Sequence, residues 1–375
     1  MRITGAVLTA SGRDRPYSTS RPLEITELEL EEPGPGEIRL RMETAGVCHS
    51  DLSVVDGNRP RPLPMLLGHE GAGIVERVGE SVTGLVPGDR VSTVFLPRCG
   101  ACASCLTDGL LPCIPGTRTN TEGVLPSGTS RIYRAGEPVH HHLGVSAFAT
   151  HAVVDQRSVV RVSPDVPPAV AAVLGCAVLT GGGAVINAAR LRPGDDIAIV
   201  GLGGVGMAAA LVASAITRSA GGRVIGVDAN PAKHQAASAY GIDEALTPEE
   251  AIASELRLPA VIEAAGHPRA FETAVSLTAP GGVTVTAGLP SPDARSSISP
   301  LDITAGARRI VGSYLGSSVP SRDIPFYEGL WREGRLPLEL LATASVPLEE
   351  INSALDVLAD GAAIRQMILF DETRS

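Results

Sequence analysis

Four cysteines in one short segment form the densest group of potential metal ligands in the chain. Cys99, Cys102, Cys105 and Cys113 follow the pattern C-x2-C-x2-C-x7-C. Four thiolates this close together suit a tetrahedral zinc ion, and a site closed by four sulfur ligands leaves no position for a substrate. The alternatives are two disulfides, which an intracellular chain disfavours, or an iron–sulfur cluster. We predict a structural zinc site that contributes to folding.

The two remaining cysteines, Cys48 and Cys176, form a second candidate ligand set with His69. They lie in the sequences G-V-C-H-S-D, G-C-A-V-L-T-G and, for the histidine, G-H-E. Two thiolates and one imidazole make a ligand set of a catalytic zinc, whose fourth position is left to water or substrate. Taken singly, each residue could be an ordinary buried group. Asp51 and Glu70 are close to these ligands in sequence and could orient them, although Glu70 could equally be a solvated surface charge.

A glycine-rich turn has the features of a dinucleotide site. The turn has the sequence G-L-G-G-V-G, with glycines at Gly201, Gly203, Gly204 and Gly206. It follows an apolar strand and opens a predicted helix, where glycines let the backbone approach a pyrophosphate. Asp228 ends the next strand, where a carboxylate would bind ribose hydroxyls and repel a 2′-phosphate. Lys233 could add a donor to the ribose or could be a solvated helix residue. The pattern predicts NAD as the cofactor.

Two different sequence textures surround these residues and predict two domains in the 375-residue chain. The composition, 44% hydrophobic and 19% charged, is typical of a globular protein. Up to about residue 170 the chain has short alternating runs and Pro-Gly turns, which predict a small β-barrel. From Pro193 an apolar strand, a glycine turn and an Ala-rich helix alternate, which predicts a doubly wound parallel sheet.

Individual elements follow from the same periodicities. We predict strands over 38–42, 73–78, 196–200, 224–227, 260–263, 283–287 and 365–370, and helices over 207–219 and 351–358. The last 60 or so residues return to a mixed pattern and could fold back onto the first domain. No internal repeat is visible.

Charge and hydropathy exclude other classes of partner. The net charge is −10, and Lys233 is the single lysine, so no basic cluster could follow a phosphate backbone and nucleic acid is not expected to bind. The N-terminus lacks the pattern of a secretory signal, which predicts a cytoplasmic protein. The uncharged segment 197–217 is long enough to cross a bilayer, but its central glycines favour a strand, turn and buried helix over a membrane span.

Together, these motifs resemble those of the zinc-containing medium-chain alcohol dehydrogenases, particularly the longer liver-type branch, over nearly the whole chain. The resemblance rests on the two cysteine and histidine motifs, the four-cysteine segment, the glycine turn and the sequence A-I-R ending at Arg365. It implies a GroES-like catalytic domain over 1–175 and 316–375, and an inserted Rossmann domain over 176–315. It also implies two zinc ions per chain, an alcohol or aldehyde substrate, and a homodimer or homotetramer.

The resemblance also assigns roles to further residues. The residues that it places against the cofactor are Thr180 and Val205 behind the nicotinamide, and His49 and Arg365 at the pyrophosphate. The residues that it places in the substrate pocket are Phe95, His142 and Leu143. Ser50 would accept the proton of the alcohol. Zinc would act on the alcohol oxygen as a Lewis acid, and the hydride would pass to the nicotinamide.

Two departures from the liver-type pattern leave parts of the site open. The proton path of that branch usually continues to a histidine three residues after the serine, and Ser53 occupies this position here. The outward path could therefore end in water, at Ser53 or at another group. His142 places a polar ring where relatives often have an apolar one. This ring could favour a substrate with an additional hydrogen-bond acceptor or could reflect a wide, wet pocket.

Two rival functions remain compatible with the sequence. Thiol-adduct dehydrogenases of the formaldehyde type share the fold and both zinc sites. They bind a carboxylate through an arginine after the four-cysteine segment, where this chain has Thr117 followed by Arg118. A nucleotide-binding relative without catalysis is the other rival. Such a protein would have little reason to retain Cys48, His69, Cys176 and Ser50 together.

Overall fold

The computed structural model describes residues 1–370 and divides the chain into two compact units. The barrel unit consists of Met1–Cys176, Val319–Glu328 and the chain from Ala342 onward. The sheet unit consists of Ala177–Ser318 and Gly329–Leu341. This division differs from the predicted domain bounds chiefly because residues 329–341 group with the sheet unit. No feature of the sequence indicates that the chain returns to the sheet unit at this point. The bounds 1–175 with 316–375, and 176–315, remain a prediction about domains.

Strands make up most of the regular structure of the barrel unit and the centre of the sheet unit. In chain order the strands are β1 Arg2–Leu8, β2 Leu23–Leu30, β3 Glu37–Val47, β4 Met65–Leu66, β5 Gly71–Val78, β6 Arg90–Thr93, β7 Ile132–Arg134, β8 Glu137–His141, β9 His151–Asp155, β10 Val159–Arg161, β11 Ile197–Val200, β12 Val224–Val227, β13 Glu244–Leu246, β14 Leu258–Glu263, β15 Thr278–Thr286, β16 Arg309–Gly312, β17 Ala344–Val346 and β18 Gln366–Leu369.

The helices lie between these strands. They are α1 Tyr17–Ser20, α2 His49–Val55, α3 Ile114–Glu122, α4 Pro168–Val173, α5 Leu179–Gly183, α6 Gly204–Thr217, α7 Pro248–Ala253, α8 Pro268–Leu277, α9 Pro300–Ala305, α10 Pro320–Arg332 and α11 Ile351–Ala359. Two π-helical segments, Leu174–Val178 and Ala184–Ala189, follow α4 and α5 directly.

The barrel unit contains a closed barrel and a second sheet. The barrel has the strand order β1-β2-β7-β8-β4, and the sheet has the order β10-β6-β5-β3-β18-β17, with β9 also paired to β3. Strand β18 is antiparallel to β3, with Gln366 opposite Val47, so the end of the described chain returns to the first domain as predicted. Alternate residues of β3, such as Ile38, Leu40 and Met42, are buried because one face of the strand packs into the core.

The sheet unit has six strands in the order β13-β12-β11-β14-β15-β16, and every neighbouring pair is parallel. The strand order reverses direction between β11 and β14, which is the switch point where dinucleotide-binding sheets form their ligand crevice. The predicted fold class, a β-rich GroES-like domain with a doubly wound parallel sheet, is confirmed.

One predicted helix begins earlier than expected. Helix α6 starts at Gly204, whereas the sequence predicted a start at Met207, because the last glycines of the turn already have helical geometry. It ends at Thr217 and continues as a short 3-10 turn over Arg218–Ala220. Strand β12 has the predicted bounds, and strands β14 and β15 begin earlier than predicted.

The apolar segment 197–217 is a strand, turn and helix, as predicted. Another run among the described residues, Pro168–Ala189, is long and apolar enough to cross a membrane by length and composition. In this helix 89% of the most apolar window is buried inside the protein, as in the core helix of a soluble protein.

Candidate functional site

Cys48, His69 and Cys176 come together in the barrel unit, although they are far apart in the sequence. Their candidate ligand atoms all lie within 4.8 Å of one another, and all three side chains are buried. The distance from Cys176 Sγ to His69 Nε2 is 3.5 Å. Tetrahedral zinc with ordinary Zn–S and Zn–N bonds would separate these atoms by about 3.6 Å. The donor set and its spacing therefore fit a zinc ion.

Each of these three residues lies at an irregular point of the backbone. Cys48 follows β3 and caps the N-terminus of α2, and His69 follows Gly68, whose φ of +89° favours glycine. Cys176 lies in the π-helical segment Leu174–Val178, a geometry frequent at functional sites. A side chain at Gly175 would collide with the carbonyl oxygen of Thr93, so glycine lets the Cys176 turn approach β6.

Asp51 connects two of the candidate ligands. Its Oδ1 lies 3.0 Å from His69 Nδ1 and accepts a hydrogen bond from the Gly68 N–H at 3.2 Å. Its Oδ2 accepts the Cys48 N–H at 3.0 Å. Burial opposes the charge of Asp51, but His69 and His142 together lower the pKa of this carboxyl to about 2. A carboxylate in this position fixes the His69 ring and directs Nε2 toward the sulfur atoms.

His142 contacts the same carboxylate oxygen. Its Nδ1 lies 3.2 Å from Asp51 Oδ1, and its ring meets the His69 ring edge to face at 5.3 Å between centroids. Phe95 packs against His69 in the same manner at 5.6 Å, and Leu143 is buried next in the chain with a φ of +53°. Burial lowers the pKa of His142, although Asp51 opposes the shift. The predicted pocket residues Phe95 and His142 thus both contact the candidate ligand His69.

Glu70 and Arg365 form a buried ion pair beside the cysteines. Arg365 Nε lies 3.1 Å from Glu70 Oε1, and the two side chains are 3% and 0% exposed. Arg365 also donates a hydrogen bond from Nη1 to the Val47 carbonyl oxygen at 3.1 Å. Glu70 is therefore not a solvated surface charge, and burial raises its pKa although Arg365 opposes the shift. The predicted contact of Arg365 with a pyrophosphate remains a prediction.

The charges around Cys48 favour its thiolate form. A hydrogen bond from Cys176, together with the positive charges of Arg365 and His69, lowers the pKa of Cys48 although burial opposes the shift. A thiolate is the form of cysteine that binds metals. The charges around Cys48 therefore support the same conclusion as the ligand distances, namely that this site can bind zinc.

Cys99, Cys102, Cys105 and Cys113 form the second cluster, in which the four sulfur atoms lie within 4.8 Å of one another. Cys99 Sγ and Cys105 Sγ are 3.9 Å apart, close to the edge of about 3.8 Å expected for four sulfurs around zinc. Backbone N–H groups of Ile114 and Cys105 lower the pKa of Cys102 to about 6. These cysteines are free thiols in the structure, so the geometry fits a zinc site and not two disulfides.

The glycine turn in the sheet unit leads from β11 into α6. Gly201 has a φ of +97°, and a side chain at this position would come within 2.6 Å of the Ala265 nitrogen. A side chain at Gly206 would collide with the Gly201 carbonyl oxygen, so this glycine allows the helix to pack on the turn. A side chain at Gly203 would meet no protein atom within 4 Å. Gly203 therefore borders open space at the helix N-terminus, where a pyrophosphate would bind.

Asp228 lies beside this turn at the end of β12. Its Oδ2 accepts a hydrogen bond from the Leu202 N–H at 2.7 Å and lies 3.0 Å from Lys233 Nζ. Asn230 donates its N–H to Oδ1 at 2.9 Å. Asp228 and Lys233 thus form an ion pair, and the Asp228 carboxylate is fixed by the turn that it adjoins. The contacts of both residues with a ribose remain a prediction.

The remaining predicted cofactor residues, and the predicted proton acceptor Ser50, lie near the starts of helices. His49 and Ser50 are the first residues of α2, Thr180 lies in α5, and Val205 lies in the first turn of α6. Ser50 is half-buried. Ser53 donates its hydroxyl to the His49 carbonyl oxygen at 2.8 Å, so a proton could pass through Ser53 only if this bond were exchanged.

The sequence did not indicate two of these interactions. The contact of His142 with Asp51 and the pairing of Glu70 with Arg365 both join residues from separate strands and loops, and neither pair has a characteristic spacing. The sequence showed only that polar residues lie close to the candidate ligands, which does not indicate which of these residues pair with one another.

Comparisons with known proteins agree with this geometry. A model of the alcohol dehydrogenase GroES-like domain matches residues 34–164, and a model of zinc-binding dehydrogenases matches residues 204–328. Alcohol dehydrogenase 1 of Pisum sativum is 36% identical over 369 residues, which is 95% of this chain and 96% of the relative. S-(hydroxymethyl)glutathione dehydrogenase of Escherichia coli is 31% identical over 365 residues, 94% of this chain and 98% of the relative.

Solved structures share the fold over the whole chain. The crystal structure of benzyl alcohol dehydrogenase from Acinetobacter calcoaceticus aligns with a TM-score of 0.89 at 28% identity. The alignment covers 99% of this chain and 100% of the other.

Proposed function

The chain belongs to the zinc-binding alcohol dehydrogenase family of oxidoreductases, and on this basis we propose that it catalyses reversible, NAD-linked oxidation of small-molecule alcohols. The observation that carries the proposal is the buried group of Cys48, His69 and Cys176, whose atoms have the spacing of a three-ligand zinc site. A site with three protein ligands leaves one position for the substrate, whereas the four-cysteine cluster leaves none.

The two cofactors supply the chemistry that side chains lack. Cys48, His69 and Cys176 would hold a zinc ion that supplies Lewis-acid chemistry at the alcohol oxygen, and a bound NAD would supply the hydride acceptor. The cluster of Cys99, Cys102, Cys105 and Cys113 would hold a second zinc ion that stabilises its loop.

The residues around the first cluster orient it and handle the proton. Asp51 holds His69 with Nε2 toward the sulfur atoms, and the Glu70–Arg365 pair places balanced charges behind the cysteines. Ser50 follows Cys48 by two residues at the start of α2 and accepts the proton that leaves the alcohol. The fixed Asp228 carboxylate favours NAD because it would repel a 2′-phosphate.

A thiol-adduct dehydrogenase is the second candidate, because the Escherichia coli relative carries that name. Arg118, the nearest candidate for binding the carboxylate of such an adduct, is 71% exposed on α3 and lies 4.0 Å from Glu122. An exposed arginine beside a carboxylate of its own helix binds a second carboxylate weakly. This geometry favours the simple alcohol over the adduct.

A panel of primary and secondary alcohols, monitored by NADH absorbance, tests the proposal. Two comparisons accompany this panel. One uses formaldehyde with and without glutathione, and the other replaces NAD with NADP. Oxidation of alcohols with NAD and without a thiol would support the proposal. Turnover that requires the thiol would favour the second candidate, and no turnover of any substrate by protein with two zinc ions would contradict both.

Ser50→Ala tests the proton acceptor. We expect turnover at neutral pH to fall about a hundredfold, because general base catalysis of this kind contributes about 10²–10⁴-fold. Ser53→Ala is the matched control, since its hydroxyl already donates to the backbone. Wild-type turnover in Ser50→Ala would exclude Ser50 as the acceptor.

A further inference from the structure

Glu263 is a buried carboxylate at the end of strand β14, and it is 1% exposed. Its Oε1 accepts the N–H groups of Ala265 at 2.8 Å and Gly266 at 2.6 Å. Its Oε2 accepts the hydroxyl of Thr286 at 2.9 Å. A carboxylate can only accept hydrogen bonds, and these three donors give both of its oxygens a partner. Glu263 therefore places a negative charge at a fixed point of the sheet unit.

No cationic side chain balances this charge within residues 1–370. The donors to Glu263 are neutral backbone and hydroxyl groups, and no described arginine, lysine or histidine forms an ion pair with it. The other buried glutamate beside a candidate site, Glu70, is paired with Arg365. Buried charges in proteins are usually paired. The position of Glu263 therefore favours a ligand that brings a positive charge close to it.

Glu263 lies at the edge of the sheet where the glycine turn begins. In the parallel pairing of β11 with its two neighbours, Val200 lies opposite Val227 of β12 and opposite Glu263 of β14. Asp228 directly follows Val227, so Asp228 and Glu263 lie on opposite sides of the turn after Val200. Neighbouring strands are about 4.8 Å apart, which places the ends of β12 and β14 about 10 Å apart.

Glu263 also holds the loops that border the glycine turn. A side chain at Gly201 would come within 2.6 Å of the Ala265 nitrogen, so the loop after β14 lies against the turn. The carbonyl oxygen of Glu263 accepts the N–H groups of Ala287 at 2.8 Å and Gly288 at 3.1 Å. The side chain and the backbone of one residue thus fix the loops after β14 and β15 beside the turn.

A dinucleotide bound at this edge of the sheet would reach both carboxylates. Sheets of this class bind dinucleotides across the crevice at the switch point, with the pyrophosphate at the glycine turn. With its adenosine ribose at Asp228, the cofactor would extend its nicotinamide nucleoside toward the ends of β14 and β15. The nicotinamide ring of NAD⁺ carries a positive charge, whereas the ring of NADH is neutral. The charge of Glu263 therefore acts differently on the two forms of the cofactor.

We propose that Glu263 favours binding of the oxidised cofactor, because its carboxylate attracts the positive charge of the NAD⁺ nicotinamide. The inference rests on NAD as the cofactor of the proposed function and concerns the relative affinity for its two forms. At an effective dielectric constant of about 20, opposite unit charges about 12 Å apart change an affinity about tenfold. An effect of this size is measurable by direct binding.

Calorimetric titration of the zinc-loaded protein with NAD⁺, NADH and ADP-ribose tests the inference. Glu263→Gln keeps the size of the side chain and an oxygen that accepts backbone N–H groups, but it removes the charge. We expect the Kd for NAD⁺ to rise about tenfold more than the Kd for NADH. The Kd for ADP-ribose should stay close to the wild-type value, because this ligand has no nicotinamide.

Glu255→Gln is the matched control. Glu255 is exposed and precedes β14, so it lies toward the opposite edge of the sheet. The same change of charge at this position should leave the Kd values for all three ligands unchanged.

Glu263→Asp separates the charge from the position of the loops. This variant retains the charge, but its shorter side chain cannot make the same hydrogen bonds to Ala265, Gly266 and Thr286. We expect NAD⁺ and NADH to bind more weakly to the same extent, so that the ratio of their Kd values remains that of the wild-type protein. A purely structural role would change this ratio equally in Glu263→Asp and Glu263→Gln.

A wild-type ratio of the two Kd values in Glu263→Gln, or an equal change of the ratio in Glu263→Asp or Glu255→Gln, would overturn the inference. Wild-type protein that binds neither form of the cofactor would overturn it as well. These titrations need no alcohol. If the ratio changes as expected and no alcohol is oxidised, the proposed function fails and the role of Glu263 stands.

Discussion

At the scale of single residues, Asp51 organises the site more than any ligand does. One carboxylate accepts the N–H groups of Cys48 and Gly68 and faces the Nδ1 atoms of His69 and His142. It therefore joins the backbone that carries one candidate ligand to the ring of another. Its position three residues after Cys48 predicted that it could orient a ligand. Its contacts with Gly68, His69 and His142 could not be predicted, because they depend on the packing of segments that are far apart in the sequence.

Asp51→Asn should weaken zinc binding at the Cys48 cluster. The amide keeps the size of the side chain but lacks the charge that orients and polarises His69, and loss of such a partner lowers metal affinity about 10–100-fold. Competition with a chromophoric chelator measures this affinity. Asp360→Asn, at a carboxylate that is 62% exposed, is the matched control. Equal zinc affinity in both variants would contradict the role of Asp51.

Asp228→Asn should reduce the preference for NAD over NADP. The amide can still accept the Leu202 N–H, so the turn should be retained, whereas the repulsion of a 2′-phosphate is lost. We expect the ratio of kcat/KM values for the two cofactors to fall at least tenfold, about 1.4 kcal/mol. A ratio that does not change would exclude Asp228 as the discriminating charge.

At the scale of elements, the turn between β11 and α6 shows why similar glycines have different functions. The side chain that alanine adds would collide with the Gly201 carbonyl oxygen at Gly206 but would meet no protein atom at Gly203. Gly206 is therefore needed for folding, whereas Gly203 is needed only when a nucleotide approaches the helix N-terminus.

Gly203→Ala and Gly206→Ala should separate these two roles. Gly206→Ala should lower the free energy of unfolding by about 3 kcal/mol, because the helix must move away from the turn. Gly203→Ala should leave thermal unfolding unchanged and weaken NAD binding at least tenfold, about 1.4 kcal/mol. Calorimetry measures both quantities. Tight NAD binding by Gly203→Ala would show that the pyrophosphate does not lie at this turn.

The sequence predicted those elements whose periodicity or spacing is local. The β12 strand and the glycine turn were located correctly, and the four cysteines meet as their spacing indicated. The π-helical segment around Cys176 was not predicted, because no local periodicity marks it and the close approach of Gly175 to Thr93 exists only in the folded chain. The start of α6 was placed too late because glycine carries no helical signal of its own.

At the scale of the whole molecule, both candidate zinc sites belong to the barrel unit but have different origins. The four-cysteine cluster uses one continuous segment, so its spacing alone predicted it. The other cluster uses the residue that follows β3, the loop after β4 and the helical run after α4, and the ion pair beside it uses Arg365 from near the end of the described chain. Correct folding of nearly the whole barrel unit is therefore required before this site exists.

The zinc content of Cys48→Ala tests the central claim most directly. Wild-type protein should contain two zinc ions per chain, and Cys48→Ala should contain one and lose NAD-linked alcohol oxidation. Cys102→Ala should also contain one but should unfold at a lower temperature, because its missing ion stabilises a loop. One zinc per wild-type chain, or two zinc ions with normal turnover in Cys48→Ala, would contradict the assignment of Cys48, His69 and Cys176 as the catalytic zinc site.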